Sequence, residues 1–340
     1  MRLETAVVAP TIQQLADYGK RMEEMGYDSI ITPEAGHDPF LPLMTLAEHT
    51  ERLKLGTAVA IAFPRSPFVV AQMAWDLQRY SGGRFLLGLG TQVKGHNERR
   101  YSTPWPAPPG PRLRAYILCL KAIFNTFQTN ERPNFKGDWY QFTLISPFFN
   151  PGPNPNGGVP IYISAINKYH CRLVGEVCDG IRMHPFNTPK YTREVIIPSI
   201  EEGAKKTGRK LSDIDVVGGG FLVTGKNEEE VERAKAPFKQ QIAFYGSTRS
   251  YHPVLECHGW GEVGMRLHRL SMEGKWAEMT NEITDEMLNE FAVVGTYDEI
   301  VPKIKERYAG VVNTLGFGYS TITAEQEERL RWIIQELKQL

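Results

Sequence analysis

An α/β fold, a (β/α)8 TIM barrel with insertions in its βα loops, is predicted by three observations. Apolar strand-like runs alternate with amphipathic helical stretches along the chain. The strand-like runs number eight. The 340 residues also exceed the roughly 250 of a simple barrel, which leaves material for insertions. Apolar runs separated by amphipathic helices imply a parallel sheet buried on both faces.

Leu3–Ala9 is the first strand. Thr11 stands as N-cap of the next helix with Gln14 three residues on, a capping-box pattern. Ile12, Leu15, Ala16, Met22 and Met25 recur at helical spacing, and Gly26 supplies the stop. Ser29–Thr32 is the second strand, and Leu43, Leu46, Ala47 and Leu53 mark the helix after it. Leu55–Ala62 is the third strand, Pro67 opens a helix running to Tyr80, and Arg84–Gly90 is the fourth strand. Ile161–Ser164 is the fifth, followed by a helix over Lys168–Cys178, and Gly180–Met183 is the sixth. Thr188 and Pro189 begin a helix as N-cap and first helical residue, and Pro198 predicts a kink or break in it. Ile214–Thr224 is the seventh strand, with a helix at Glu228–Tyr245. Thr296 and Glu299 cap a further helix, and Val311–Phe317 is the eighth strand. A final amphipathic helix carries Leu330, Ile333, Ile334 and Leu337.

Two stretches break this rhythm. Residues 101–158 hold the Pro/Gly-rich loops Pro104–Pro111 and Pro147–Gly158 around a helix and a hairpin at Phe135–Leu144. Residues 246–290 have helical spacing at Val263, Leu267 and Leu270. The chain reads as one domain over residues 1–340, with insertions near 101–158 and 246–290 placed in βα loops, where they shape the active-site face.

Composition narrows the function. The chain has 39 basic and 39 acidic residues and zero formal charge, without the basic excess of a nucleic-acid or membrane-surface binder. Hydrophobic residues at 41% and charged residues at 23% are globular values. No apolar run approaches the roughly 20 residues of a membrane span, and no charged leader precedes an apolar core. Cys119, Cys171, Cys178 and Cys257 form no C-x-x-C pair, so neither a disulfide framework nor a cysteine zinc site is expected. Cys171 and Cys178, seven apart on one helix, read as a buried stripe. The histidines show no metal-binding spacing. These features point to a cytoplasmic enzyme acting on a small molecule, with no metal.

In a barrel, chemistry sits where strands end. Glu34 ends the second strand and is expected to point into the mouth; His37 and Asp38 follow as an acid/base pair or as solvated loop residues. Gln92, His96 and Asn97 follow the fourth strand. Gly88-Leu89-Gly90 lacks the third glycine and the spacing of a dinucleotide fingerprint. Ser164, Ala165, Ile166, Asn167 and Lys168 follow the fifth strand. Small residues before a helix N-terminus suit a phosphate, with Lys168 or Arg172 adding charge, and equally suit a plain turn capped by Asn167. His184-Pro185-Phe186-Asn187 follows the sixth.

Three groups of residues together resemble the bacterial luciferase-like superfamily. The first is Leu55-Gly56-Thr57-Ala58-Val59, Pro64-Arg65-Ser66-Pro67, Ala71-Gln72 and Ser81–Thr91. The second is Ala165-Ile166-Asn167 with Arg172–Gly180, and the third is Val293–Ile300. The resemblance spans nearly the whole chain in order. Within the superfamily, Gly90–Tyr101 and Pro147-Phe148-Phe149 resemble a group of oxidoreductases that use coenzyme F420.

The resemblance implies a flavin or deazaflavin at the C-terminal mouth. It implies a non-prolyl cis peptide at Ala58–Val59, bulging against the back of the ring. Gln92, His96 and Asn97 would lie near the cofactor, Glu34 beside the ring, and the phosphate at Ala165–Lys168. Related sugar-phosphate dehydrogenases carry a histidine where this chain has Ala35 and a glutamate where it has Val93, so their mechanism does not transfer; Glu34, His37 and His96 stand as the candidate proton donors. The implied activity is hydride transfer between coenzyme F420 and an organic substrate. The alternatives are a monooxygenase using reduced FMN from a separate reductase and a non-catalytic flavin-binding barrel. A deazaflavin does not form the stable peroxide adduct that oxygen activation requires, so the cofactor decides the reaction class. Relatives commonly dimerise through the second and third helices, which makes a homodimer the expectation.

Overall fold

The computed structural model describes residues 1–7, 11–105, 108–317 and 324–339. Val8 and Ala9 of the expected first strand, and Pro106 and Ala107 of the proline-rich loop, lie outside the described residues. Eight parallel strands close into a barrel. They are β1 (Arg2–Ala6), β2 (Ser29–Thr32), β3 (Lys54–Thr57), β4 (Phe85–Gly90), β5 (Ile161–Ala165), β6 (Gly180–Met183), β7 (Asp215–Gly218) and β8 (Thr314–Gly316). Closure comes from β8 pairing with β1, Leu315 opposite Leu3. The TIM barrel expected from the alternation is the fold observed.

Alternation along each strand sorts residues between two environments. Phe85, Leu87 and Leu89 of β4 join Ile161, Ile163, Ile181 and Leu55 in the main core between barrel and helices. Leu86, Tyr162 and Val217 form a separate small cluster. Beside it Arg182 of β6 makes a buried 2.6 Å ion pair with Glu4 of β1, and Ser29 donates to the same carboxylate. Gly56 and Gly88 make room for the guanidinium: a Cβ on Gly88 would stand 2.0 Å from the Thr57 carbonyl oxygen and 3.0 Å from Arg182 Nε.

The outer helices have local causes. Leu15–Met25 ends at Gly26, whose φ of 98° is left-handed and costs glycine little. Asn167 caps Lys168–Val177 by accepting from His170 N–H, and Thr188 caps its helix by accepting from Tyr191 N–H. The kink or break expected at Pro198 is replaced by a π turn over Thr192–Ile196 that runs into Ile197–Lys205. Proline has no N–H for the ordinary helical bond, and the wider turn lets the helix continue.

Two strands differ from expectation. The third is interrupted: Lys54–Thr57 and Ala60–Ile61 both pair with β4, and the peptide between them, Ala58–Val59, is cis. The seventh divides at Gly218-Gly219-Gly220. A Cβ on Gly219 would stand 2.7 Å from the Gly316 carbonyl oxygen, and one on Gly220 2.6 Å from that of Phe291. Past the glycines the chain leaves the barrel, and Phe221–Gly225 pairs in parallel with Ala292–Thr296. The sequence pattern assigns no strand at Ala292–Thr296, which is one here.

The helix within 101–158, Pro109–Thr129, packs against the Pro67–Tyr80 and Lys168–Val177 helices as part of the outer ring. The hairpin forms between Phe135–Lys136 and Gln141–Phe142. Between the two outer strands lie Glu228–Gly246 and a run of shorter helices up to Phe291.

Candidate functional site

The C-terminal ends of the strands bring the expected polar residues to one face, in two arcs. The first spans β2 to β4 and is organised by Glu34. This side chain is only 6% exposed. Its Oε2 accepts from the Ile61 backbone N–H at 2.7 Å and from Arg65 Nη1 at 2.8 Å, and its Oε1 accepts from the Tyr101 hydroxyl at 3.1 Å. Arg65 also donates to the Ile61 carbonyl and to Asp38 Oδ2. Arg100 donates to the Ala35 carbonyl at 2.7 Å. One carboxylate thus joins the loops after β2, β3 and β4. Burial opposes the charge on Arg65, but Glu34 and Asp38 outweigh it and raise its pKa. Burial, then the neighbouring Glu34, raises the Tyr101 hydroxyl.

The same arc holds the interrupted third strand. Ala58 N–H donates to the Thr32 carbonyl, and Ala62 N–H to that of Gly90. Val59 occupies the space that a Gly90 side chain would need, its Cγ2 lying 2.6 Å from that Cβ position. Gln92 has a left-handed φ of 56°, and its side chain accepts from Val93 N–H. Asn97 is fully buried; its amide donates to the Thr91 and Val93 carbonyls, while its Oδ1 is buried without a partner. Asn97 therefore pins the loop after β4, and His96 beside it is exposed.

His37 and Glu34 are not brought together. His37 is exposed and lines a cleft of about 450 Å³ with Ile12, Leu15, Leu41 and Pro42, a lining that excludes Glu34. Asp38 is committed elsewhere: Oδ1 accepts from Phe40 and Leu41 N–H, capping the Leu41–His49 helix, and Oδ2 faces Arg65. A charged cleft of about 520 Å³ opens at the opposite barrel end, among Arg2, Asp28, Lys54 and Asp215. That end of a barrel serves stability rather than chemistry.

The second arc follows β5 and β6. Ser164, Ala165 and Ile166 lead into the Asn167 cap, and Lys168 is exposed at the first helical position. Arg172 pairs with Glu202 instead of turning to the helix start. Tyr191 donates to the Ile166 carbonyl, fixing this loop. His170 Nδ1 meets the Asn167 amide at 2.9 Å, and burial lowers its pKa to about 4. His184, directly after β6, is packed by Tyr245 and Tyr251 with ring centroids at 4.5 and 4.9 Å.

Reading the sequence missed the partners of Glu34, namely Arg65 and Tyr101, and the surroundings of His184. The available signals were an arginine just after an apolar strand and a histidine just after another. Neither reveals its partner, because the partners come from other loops.

With this geometry in view, known proteins place the chain. It matches the luciferase-like monooxygenase family over residues 2–314 and belongs to that family. It is 42% identical over 302 residues, 89% of this chain and 88% of the relative, to an uncharacterized protein of Mycobacterium tuberculosis. It is 31% identical over 217 residues, 60% of this chain and 62% of the relative, to an F420-dependent glucose-6-phosphate dehydrogenase of Microbacterium testaceum. Its fold overlays the coenzyme F420 dependent tetrahydromethanopterin reductase of Methanopyrus kandleri with a TM-score of 0.78, 21% identity and coverage of 99% and 98% of the two chains. These relatives support an oxidoreductase or monooxygenase. Among the described residues, no helix is long and apolar enough to cross a membrane.

Proposed function

We propose that this member of the luciferase-like monooxygenase family is an oxidoreductase that moves a hydride between coenzyme F420 and a small organic substrate. The observation that carries this reading is the 31% identity to a dehydrogenase named for its F420 dependence. The strand-end residues fit a planar ring bearing a phosphorylated chain. Ala58 and Val59 form a shelf, with Val59 held over Gly90. Gln92, His96 and Asn97 border it on the β4 side. Ser164, Ala165, Ile166, Asn167 and Lys168 suit the phosphate, since small side chains allow close approach and the Lys168 ammonium has no carboxylate partner among the described residues.

When bound, the cofactor supplies the hydride chemistry; the protein holds and orients. Glu34, with all its donors in place, sets the mutual position of three loops beside the ring. His37 and His96 are exposed, so either can exchange a proton with solvent and pass it to the substrate. The cytoplasm is the compartment we assign, in keeping with four free cysteines. We extend the reading to a homodimer, supported by Leu41, Met44 and Val69, which stand exposed on the helices after β2 and β3; light scattering of the purified protein tests that assembly.

Fluorescence titration with F420 and with FMN, each in both redox states, tests the cofactor. The expected result is binding of F420 and its weakening in Lys168→Glu. Tight FMN binding with no F420 binding overturns the reading and favours a monooxygenase using reduced FMN, the reaction after which the family is named. Binding without turnover on any ketone, alcohol or oxygen leaves a non-catalytic flavin-binding barrel.

A further inference from the structure

His184, Tyr245 and Tyr251 come from three separate elements: the end of β6, the Glu228–Gly246 helix and the turn Arg249–Tyr251. Their rings touch one another. His184 lies 4.5 Å from Tyr245, nearly perpendicular, and 4.9 Å from Tyr251; the two tyrosines are 6.3 Å apart. Phe186 backs Tyr251 at 5.5 Å and itself stacks on Phe291 at 4.5 Å. A packed aromatic base therefore holds all three rings in place.

The polar tips of these rings are unused. His184 Nδ1 accepts from the Phe186 backbone N–H at 3.0 Å, which leaves the ring hydrogen on Nε2. Neither that Nε2–H nor either tyrosine hydroxyl makes a hydrogen bond among the described residues; the three side chains are half-buried, and none of the three polar tips is fully shut off from solvent. Burial alone pushes His184 down to about 4, and burial followed by Tyr245 pushes the Tyr251 hydroxyl up to about 12. Both are neutral in ordinary conditions. No charged side chain among the described residues contributes to either shift; Arg249, two residues before Tyr251, donates to His268, and Arg182, two before His184, pairs with Glu4 inside the barrel.

We infer that His184, Tyr245 and Tyr251 form a subsite that holds an uncharged carbonyl oxygen of the substrate, with its apolar body against the two tyrosine rings. Three neutral donors on an aromatic base suit an acceptor with two lone pairs. The missing cation disfavours a carboxylate or phosphate, whose desolvation would go uncompensated. The inference rests on the proposed function only in taking the substrate to be a small organic molecule that enters this mouth.

The test needs no cofactor, so failure to bind F420 would not touch it. Protein labelled with 15N at histidine is titrated with cyclohexanone, cyclohexanecarboxylate and methylcyclohexane and followed by NMR. Cyclohexanone is expected to move the His184 Nε2–H resonance downfield. It should bind about tenfold tighter than either of the others, as hydrogen bonds from partly buried donors allow. His184→Phe should lose about tenfold in ketone affinity, while His184→Gln, which keeps an N–H donor at similar reach, should stay within about threefold. Should His184→Phe not fold, Tyr251→Phe removes a single hydroxyl and is expected to weaken the ketone about threefold. Equal binding of ketone and hydrocarbon, preference for the carboxylate, or a response at His37 or His96 in place of His184 would each overturn the subsite. So would a loss in His184→Gln equal to that in His184→Phe.

Discussion

Removing the charge of Glu34 by substitution with Gln should cost about 2 kcal/mol of folding stability. Breaking a buried ion pair costs about 3–5 kcal/mol, because the remaining charge is left uncompensated. Glu34 is 6% exposed and qualifies as buried, but Arg65 is 19% exposed and keeps Asp38 as a second partner at 3.2 Å. Solvent and the second carboxylate relieve part of the penalty, which brings it to about 2 kcal/mol. Urea unfolding of the parent protein, Glu34→Gln, Arg65→Met and the double variant forms a cycle that isolates the pair. The expected coupling is about 2 kcal/mol. Because Glu34 also holds Ile61 N–H and Tyr101, loosening it disturbs three loops, and the F420 affinity proposed above should fall about tenfold, equivalent to about 1.4 kcal/mol. A coupling below about 0.5 kcal/mol would show that the pair is an ordinary surface contact and that the loops are positioned by something else.

Other consequences follow from the same structure. Gly88→Ala would set a methyl group against the Thr57 carbonyl, 2.0 Å away, and should destabilise by about 3 kcal/mol in urea unfolding; a change within error would mean the strands separate freely there. Arg182→Met should cost about 3–5 kcal/mol by stranding Glu4, and adding Glu4→Leu should recover much of that loss; a double variant no better than the single one would contradict it. Burial holds His184 near 4 against an ordinary 6.5, so the unfolded chain binds more protons between these values and stability declines as pH falls through 6.5 toward 4. Its share at pH 5 is about 2 kcal/mol, and His184→Gln should therefore show a smaller stability difference between pH 7 and pH 5 than the parent; equal differences would refute a buried neutral ring. Burial would raise the Glu23 carboxyl, but the Arg52, Leu53 and Glu51 N–H groups outweigh it and hold it below its ordinary 4.5. Its stabilisation is present above that value and lost as pH falls through the lowered one, so Glu23→Gln should destabilise at pH 7 and be neutral near pH 2; the same loss at both would exclude the carboxylate's role.

Much of this protein is written in short-range patterns. Helical spacing in Leu15–Met25, the stop at Gly26 and the caps at Asn167 and Thr188 act within a turn of chain, so they are legible without any tertiary information. The eight apolar runs are legible too, because a parallel strand buried on both faces must be apolar wherever it lies. Knowing where strands end placed Glu34, the Gln92–Asn97 loop and Ser164–Lys168 on one face. The sequence could not show that three consecutive glycines would carry the chain out of the barrel after Gly218. That depends on the Gly316 and Phe291 carbonyls, which lie far away in the sequence and crowd positions 219 and 220. Nor could it show that Glu34 is shared among Ile61, Arg65 and Tyr101, or that His184 meets Tyr245 and Tyr251. Local composition determined the elements and the face that carries polar residues. Pairing of neighbouring strands decided which of those residues meet, because β2, β3 and β4 lie side by side and so bring the loop residues Glu34, Arg65 and Tyr101, tens of positions apart in sequence, into contact.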